Sequence, residues 1–127
     1  MSRRVLVVDD DPRLLRVIEM YLTLEGFDVV TAVNGDEALT HMEEVRPDLV
    51  ILDILMAGTD GIAVCASIRT DPRTARLPVI MFSALSADHD VERARLAGAN
   101  HLVTKPFNLA GLGAVVRSCF KGTQIAV

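Results

Sequence analysis

Polar side chains with useful chemistry follow several short apolar runs of this 127-residue sequence. Asp9 and Asp10 follow the first run, Asp53 follows the third, Ser83 follows the fourth and Lys105 follows the fifth. In an open α/β sheet, ligands bind at the edge formed by the carboxyl ends of parallel strands. The sequence therefore predicts that a carboxylate cluster, a hydroxyl and an ammonium group meet at one edge of a sheet.

This set of groups favours phosphoryl chemistry. Clustered carboxylates repel one another, so they either take up protons at raised pKa values or bind a cation. Oxygen ligands with open positions favour a hard cation such as Mg²⁺, and the sequence has no His/Cys set suited to zinc. A metal ion, an ammonium group and a hydroxyl donor together match the needs of a phosphoryl group. Asp53 follows the most apolar run and is the candidate nucleophile, which would form an aspartyl phosphate.

The elements that must position these groups follow from the hydrophobic pattern. Strands are predicted over residues 5–8, 28–32, 49–52, 79–82 and 101–103. Helices are predicted from Pro12 to Gly26 and over about 36–45, 62–69, 88–96 and 109–120. The runs show little polar alternation, which suits parallel strands covered on both faces. The alternation of strand and helix predicts a doubly wound α/β fold with right-handed crossovers.

Helical spacing also predicts which side chains face the core. The expected inward residues are Leu14, Ile18 and Leu22 with Leu15 and Tyr21 beside them, then Ala38, Leu39 and Met42, and finally Leu112, Val115, Val116 and Cys119. Gly111 and Gly113 weaken the prediction for the last helix, because each costs about 1 kcal/mol relative to Ala.

Composition limits the class of protein. The length predicts one domain, and a chain that is 50% hydrophobic and 24% charged is typical of a globular protein. The net charge of −4 argues against a large basic surface for nucleic acid. No apolar run approaches the ~20 residues needed to span a membrane. Cys65 and Cys119 form no metal motif and are expected to be reduced thiols packed on helices of a cytoplasmic protein.

The sequence resembles the receiver domain of bacterial response regulators, the phosphorylated half of two-component signalling. The matching segments are residues 5–11, 47–53, 78–84, 98–99 and 104–107, together with Met56, Asp60 and Gly61. They cover nearly the whole chain in the family's order and spacing. The resemblance implies a flavodoxin-like (βα)5 fold with a five-stranded parallel sheet of order 2-1-3-4-5. It also implies a receiver domain over residues 1–121, followed by a C-terminal tail or linker over 122–127.

The resemblance assigns a role to each acidic residue at the predicted edge. Asp53 is the implied phosphoacceptor. Asp10 and Asp53 are implied Mg²⁺ ligands, Asp9 is implied to bind the ion directly or through water, and the backbone carbonyl of Leu55 is a further implied ligand.

The hydroxyl and the lysine also receive roles from the resemblance. Ser83 is the implied hydroxyl that turns toward the phosphoryl group, and Lys105 is the implied cation that bridges the phosphate and the acidic pair. The peptide bond between Lys105 and Pro106 is cis in the family, and we expect it to be cis here.

Three positions depart from the family's pattern. Ala57 stands where the family often has Pro, which would loosen the loop beside the phosphoacceptor. Leu102 stands where the family commonly has Tyr or Phe, so an aromatic switch cannot operate there. Asn100 and His101 stand where DNA-binding winged-helix regulators usually have an acidic pair. Because Leu102 is not aromatic, we expect signal readout through repacking of the loop and the fourth helix.

Some acidic residues have a simpler structural interpretation. Asp11 before Pro12 is expected to cap the first helix. Asp60 and Gly61 are expected to form a turn and the start of the third helix. Residues 88–90 are expected to cap and solvate the fourth helix.

The implied function is a switch rather than a turnover enzyme. A sensor histidine kinase or histidine phosphotransfer protein would supply the phosphoryl group, and the surface of the fourth helix, fifth strand and fifth helix would signal to an output domain or partner protein. Direct nucleic-acid binding and membrane contact are not expected, and a homodimer is left open. Leu55 and Leu85 flank the site and are expected to hinder an attacking water.

Two alternative functions can be compared with the sequence. A phosphatase with an Asp nucleophile would need a general acid two residues after Asp53, where this chain has Leu55. A binding module that acts without phosphorylation is the other alternative, and Ala57 and Leu102 keep it open.

Overall fold

The computed structural model describes residues 2–56, 58–84 and 88–125. The sheet strands are β1 (Arg4–Val8), β2 (Asp28–Ala32), β3 (Leu49–Asp53), β4 (Val79–Ala84) and β5 (His101–Lys105). The helices are α1 (Pro12–Leu24), α2 (Gly35–Val45), α3 (Gly61–Thr70), α4 (Asp88–Ala97) and α5 (Leu109–Ile125). The strands pair in parallel in the order β2-β1-β3-β4-β5. The predicted fold class and strand order are confirmed.

Side-chain caps fix where α1 and α3 begin. The Asp11 carboxylate accepts a hydrogen bond from the Arg13 backbone N–H at 3.0 Å. The Asp60 carboxylate accepts one from the Ile62 N–H at 2.9 Å. Each cap satisfies a backbone donor that has no partner within its helix. The prediction that Asp11 caps the first helix is confirmed, and so is the prediction that the third helix starts at Asp60 and Gly61.

The core has two layers, one on each face of the sheet. One face packs against α2, α3 and α4, and the other against α1 and α5. Strand β3 lies at the centre, and all five of its residues are buried. Central parallel strands must be apolar on both faces, which explains the uninterrupted run at 49–52.

One prediction about an inward residue needs correction. Leu39 was expected to face the core, but 39% of its surface is exposed, whereas Ala38 and Met42 on the same helix are buried. In α1, Leu15, Ile18 and Leu22 are buried, and Leu14 is partly buried and packs against the same core layer.

Helix α5 is longer than predicted and continues to Ile125 rather than ending near Phe120. Its Gly113 has a packing reason, because a Cβ there would lie 2.9 Å from the Tyr21 ring of α1. The glycine therefore lets α1 and α5 approach closely. Cys65 and Cys119 are both free thiols, as predicted.

Some predictions fall outside the described residues. These concern the effects of Ala57 on its loop and of Leu85 on the site. Among the residues that are described, no helix combines the length and the hydrophobicity needed to cross a membrane.

Two leucines of α1 provide a matched test of the core. Leu22 is fully buried, and Leu24 is 85% exposed. Leu22→Ala is expected to lower the free energy of unfolding by about 2–5 kcal/mol, because it leaves a cavity in the core. Leu24→Ala should change it by less than about 0.5 kcal/mol. Urea denaturation of both variants measures the difference, and equal losses would contradict the packing described here.

Candidate functional site

The parallel register brings the predicted site residues to one edge of the sheet. Asp9 and Asp10 follow β1, Asp53 ends β3, and Lys105 ends β5. Ser83, the second-to-last residue of β4, is buried and pairs with the residue before Lys105. The predicted convergence of these five residues is therefore present in the structure.

Lys105 joins the two buried carboxylates. Its Nζ donates a hydrogen bond to Asp9 Oδ2 at 2.8 Å and another to Asp53 Oδ2 at 3.0 Å. The Asp9 side chain is 0% exposed and the Asp53 side chain 10% exposed. Such buried charges need compensation by hydrogen bonds and opposite charge, and Lys105 supplies both.

The second oxygen of each buried carboxylate accepts from a backbone amide. Asp9 Oδ1 accepts from the Asp11 N–H at 2.9 Å, and Asp53 Oδ1 accepts from the Leu55 N–H at 3.2 Å. The main chain after each strand therefore turns back and orients its own aspartate. The proposed ligand role of the Leu55 carbonyl oxygen stays a prediction.

Burial and neighbouring charge shift the protonation of the pair. Burial raises the pKa of the Asp53 carboxyl above its ordinary value; the Lys105 hydrogen bond opposes this shift, and the charge of Asp9 adds to it. Burial by itself lowers the pKa of the Lys105 ammonium group. Its hydrogen bonds to Asp9 and Asp53 outweigh that effect, so the pKa lies above its ordinary value. The Lys105 ammonium group therefore stays charged, and ionisation of the Asp53 carboxyl is less favourable than it is for an exposed aspartate.

The three aspartates have the spacing of a metal site. One carboxylate oxygen from each of Asp9, Asp10 and Asp53 lies within 4.8 Å of the other two. Asp10 is exposed and the other two are buried, so the cluster opens to solvent on one side. The three carboxylates outnumber the one ammonium group, and the donor set is entirely oxygen. These features fit a hard divalent cation that keeps some of its water ligands.

A short hairpin follows the phosphoacceptor candidate. Leu55–Met56 pairs antiparallel with Thr59–Asp60, and α3 begins at Gly61. The Gly61 N–H donates to the Ile54 carbonyl at 2.8 Å, and a Cβ at Gly61 would overlap the Asp53 backbone carbonyl. Only glycine allows α3 to start this close to the end of β3.

An aromatic pair beside Lys105 was missed at the level of sequence. The rings of Phe82 and Phe107 stack with centroids 4.7 Å apart, and Lys105 Nζ lies 5.5 Å from the centroid of Phe82. A cation over a ring face gains electrostatic stabilisation. The sequence feature that could have indicated this pair is Phe107, which directly follows Lys105 and Pro106. The peptide bond between Lys105 and Pro106 is cis, as predicted.

The positions that depart from the family's pattern have defined environments. Leu102 packs against the core layer that contains α4, and His101 is exposed. Successive residues of a strand point to opposite faces, which accounts for this difference. Asn100 accepts hydrogen bonds on its side-chain oxygen from the Val79 N–H at 2.8 Å and from Arg69 at 2.9 Å. Asn100 therefore joins the starts of β4 and β5.

Comparison with known proteins gives consistent matches. The family model described as response regulator receiver domain matches residues 5–117. The DNA-binding response regulator MtrA of Mycolicibacterium smegmatis is 42% identical over 93% of this chain and 50% of its own length. The response regulator PleD of Caulobacter vibrioides is 40% identical over 93% of this chain and 26% of its own length.

A solved structure of a response regulator also matches this chain. The chemotaxis response regulator CheY4 of Vibrio cholerae superposes with a TM-score of 0.87 at 26% identity, covering 92% of this chain and 98% of that chain. The chain spans half or less of the length of the two curated relatives described above.

The raised pKa of Asp53 predicts a pH-dependent effect of Asp53→Asn on stability. A carboxyl whose pKa is raised on folding stabilises the protein fully below its unfolded pKa, and that contribution is lost as pH rises through the folded pKa. In EDTA at pH 7, Asp53→Asn should therefore be more stable than the unsubstituted protein, and the gap should narrow toward pH 4. Urea denaturation at both pH values measures this gap. A variant that is less stable at pH 7 would contradict the electrostatics described above.

Proposed function

The chain belongs to the response regulator receiver domain family, and we propose that Asp53 accepts a phosphoryl group from a phosphohistidine in a Mg²⁺-dependent reaction. Receiver domains are signalling modules of two-component systems, so the product would be a signal rather than a released metabolite. The proposal rests on one observation above all: Lys105 Nζ contacts Asp53 and Asp9 together, within a cluster of three carboxylates.

The residues present account for each requirement of the transfer. An Asp53 carboxylate oxygen would attack phosphorus while the phosphorus–nitrogen bond breaks and its electron pair passes to the imidazole nitrogen. Lys105 lies at hydrogen-bond distance from the attacking carboxylate and would neutralise charge on the incoming phosphoryl oxygens. Ser83, at the end of β4, would donate a hydrogen bond to the aspartyl phosphate. Bound Mg²⁺, held by Asp9, Asp10, Asp53 and the Leu55 carbonyl, would supply further charge neutralisation.

Helix α1 offers a surface for the phosphodonor protein. It begins next to the acidic cluster, and it carries three exposed large apolar side chains, Val17, Met20 and Leu24. Their spacing places them on one side of the helix. A sensor histidine kinase or histidine phosphotransfer protein that covered this side would bring its phosphohistidine toward Asp53.

The role of the complete protein is also a proposal. The named relatives are longer and include a DNA-binding regulator, so a downstream output domain or partner protein is the expected receiver of the signal. The surface of α4, β5 and α5 is the proposed output surface. The receiver domain is proposed to span residues 1–121, and residues 122–127, of which 122–125 continue α5, are proposed as a tail or linker. The two free thiols fit a cytoplasmic location.

Intact-mass measurement tests the phosphoacceptor directly. Incubation with acetyl phosphate and Mg²⁺ should add one phosphoryl group to the chain. The adduct should be absent in EDTA and in Asp53→Asn, because the first removes the cation and the second removes the attacking oxygen.

A clear negative result would change the conclusion. If neither acetyl phosphate nor a panel of phosphohistidine proteins produced an adduct, the phosphotransfer proposal would fail. The domain would then be a binding module that acts without phosphorylation.

The lifetime of the phosphorylated form should depend on Leu55. Its side chain is 80% exposed beside Asp53, where it would hinder the approach of a hydrolytic water. We expect Leu55→Asn to speed loss of the phosphoryl group by about tenfold, which corresponds to a barrier change of ~1.4 kcal/mol. Time-resolved intact mass after removal of the donor measures the rate. Leu24→Asn, an equally polar change of an exposed leucine on α1, should leave it unchanged, and equal rates in all three proteins would refute the shielding role.

A further inference from the structure

A cavity lies at the opposite edge of the sheet from the acidic cluster. It has a volume of about 290 Å³ and lies between α2 and α3. Pro47 precedes β3 and Leu77 closely precedes β4, so the cavity adjoins the amino ends of these strands. Its size is close to the lower limit of small-molecule sites, which is about 300 Å³.

The floor of this cavity is apolar. Met42 of α2 and Ile68 of α3 are buried, and Leu39, Pro47 and Leu77 complete the apolar part of the lining. Leu39 is the side chain that the helical pattern predicted to face the core, yet it remains 39% exposed. It faces the cavity rather than another side chain of the core. An apolar ligand would remove this surface from water, which is favourable in proportion to the area covered.

Most of the charge around the cavity is already paired. Arg73 contacts Asp71 at 2.9 Å and Glu43 at 3.8 Å, so one guanidinium group serves two carboxylates. These contacts link the segment after α3 to α2. None of these three groups is left to attract a charged ligand strongly.

Arg46 differs from the other charged residues of the lining. It ends α2 in the left-handed region, with φ 48°, and its side chain has no ion pair or hydrogen bond within the described part of the chain. A guanidinium group offers five donors and matches a carboxylate in a bidentate arrangement. The unpaired cation beside an apolar floor defines the chemistry of a complementary ligand.

We propose that the α2–α3 cavity binds a small monocarboxylate with an apolar body, such as an aromatic or branched aliphatic acid. The carboxylate pairs with Arg46, and the apolar body covers Leu39, Met42 and Ile68. The site does not overlap the acidic cluster, so this inference does not depend on phosphorylation of Asp53.

Three probes of one shape test the proposal. Phenylacetate, the neutral phenylacetamide and the cationic phenethylamine are titrated into the ¹⁵N-labelled chain and followed by two-dimensional NMR. Phenylacetate should bind with a dissociation constant on the order of 1 mM, as expected for a small fragment. Saturable shifts should fall in residues 39–47 and 67–77. Phenylacetamide should bind more weakly, and phenethylamine weakest.

Two variants assign the interaction. Arg46→Gln keeps an unbranched side chain at the left-handed position, and it should weaken phenylacetate about three- to tenfold while leaving phenylacetamide unchanged. Arg16→Gln, which removes an exposed arginine of α1 outside the cavity, is the matched control and should have no effect. Ser67→Phe should fill the cavity and abolish the shifts caused by every probe.

Specific results would overturn the proposal. These are an absence of localised shifts with phenylacetate, equal affinity for all three probes, or equal weakening by Arg46→Gln and Arg16→Gln. Asp53→Asn should bind phenylacetate as the unsubstituted chain does. A failure of phosphorylation and a failure of this site are therefore separate outcomes.

Discussion

The rest of the structure depends on one constraint: two carboxylates are buried side by side, and a single ammonium group holds them. Lys105 contacts Asp9 and Asp53 at 2.8 and 3.0 Å, and each carboxylate also accepts a backbone N–H. Buried carboxylates need the ammonium group within hydrogen-bond distance, so the ends of β1, β3 and β5 must be aligned accurately. The parallel registers and the fully buried β3 supply that accuracy. Negative charge nevertheless remains in excess, and burial keeps the pKa of Asp53 raised. The resting domain therefore tolerates an unfavourable charge that a cation would relieve.

The same constraint shapes the chain around the phosphoacceptor candidate. Gly61 allows α3 to start against the end of β3, and Asp60 caps that helix. The hairpin between Asp53 and Gly61 thus has little freedom at its base, while Leu55 at its beginning is 80% exposed. The base of the hairpin is therefore fixed, whereas the Leu55 side chain is accessible from solvent. Preorganised charges of this kind do not have to rearrange when a charged group binds beside them.

Much of this arrangement could be predicted from the sequence, because its determinants are local or repeat along the chain. Apolar runs marked the strands, and a polar residue directly after each run marked the edge where the strands end. The failures concern contacts between elements that are distant in sequence. The helical period pointed Leu39 inward, but whether a neighbouring helix fills the space beside it depends on the separation of α2 and α3. The stacking of Phe107 on Phe82 likewise depends on how the chain turns after β5. The extension of α5 to Ile125 exceeds the prediction because the apolar pattern fades before the hydrogen-bonded helix ends.

Two arginines attach α4 and the turn after it to neighbouring elements, and the two attachments differ in strength. At the carboxyl end, the Arg69 guanidinium donates twice to the Gly98 carbonyl, at 3.0 and 2.7 Å. Hydrogen bonds from a charged group are worth about 1.5–3 kcal/mol each. Nearer the acidic cluster, Arg93 pairs with Asp60 at 2.9 Å, but both side chains are almost half exposed, and such pairs contribute only about 0.2–1 kcal/mol. The turn after α4 is therefore attached to α3 more strongly than Arg93 is attached to Asp60. Leu102 packs in the core layer that also contains Ala94 of α4, and it brings no aromatic ring to that layer.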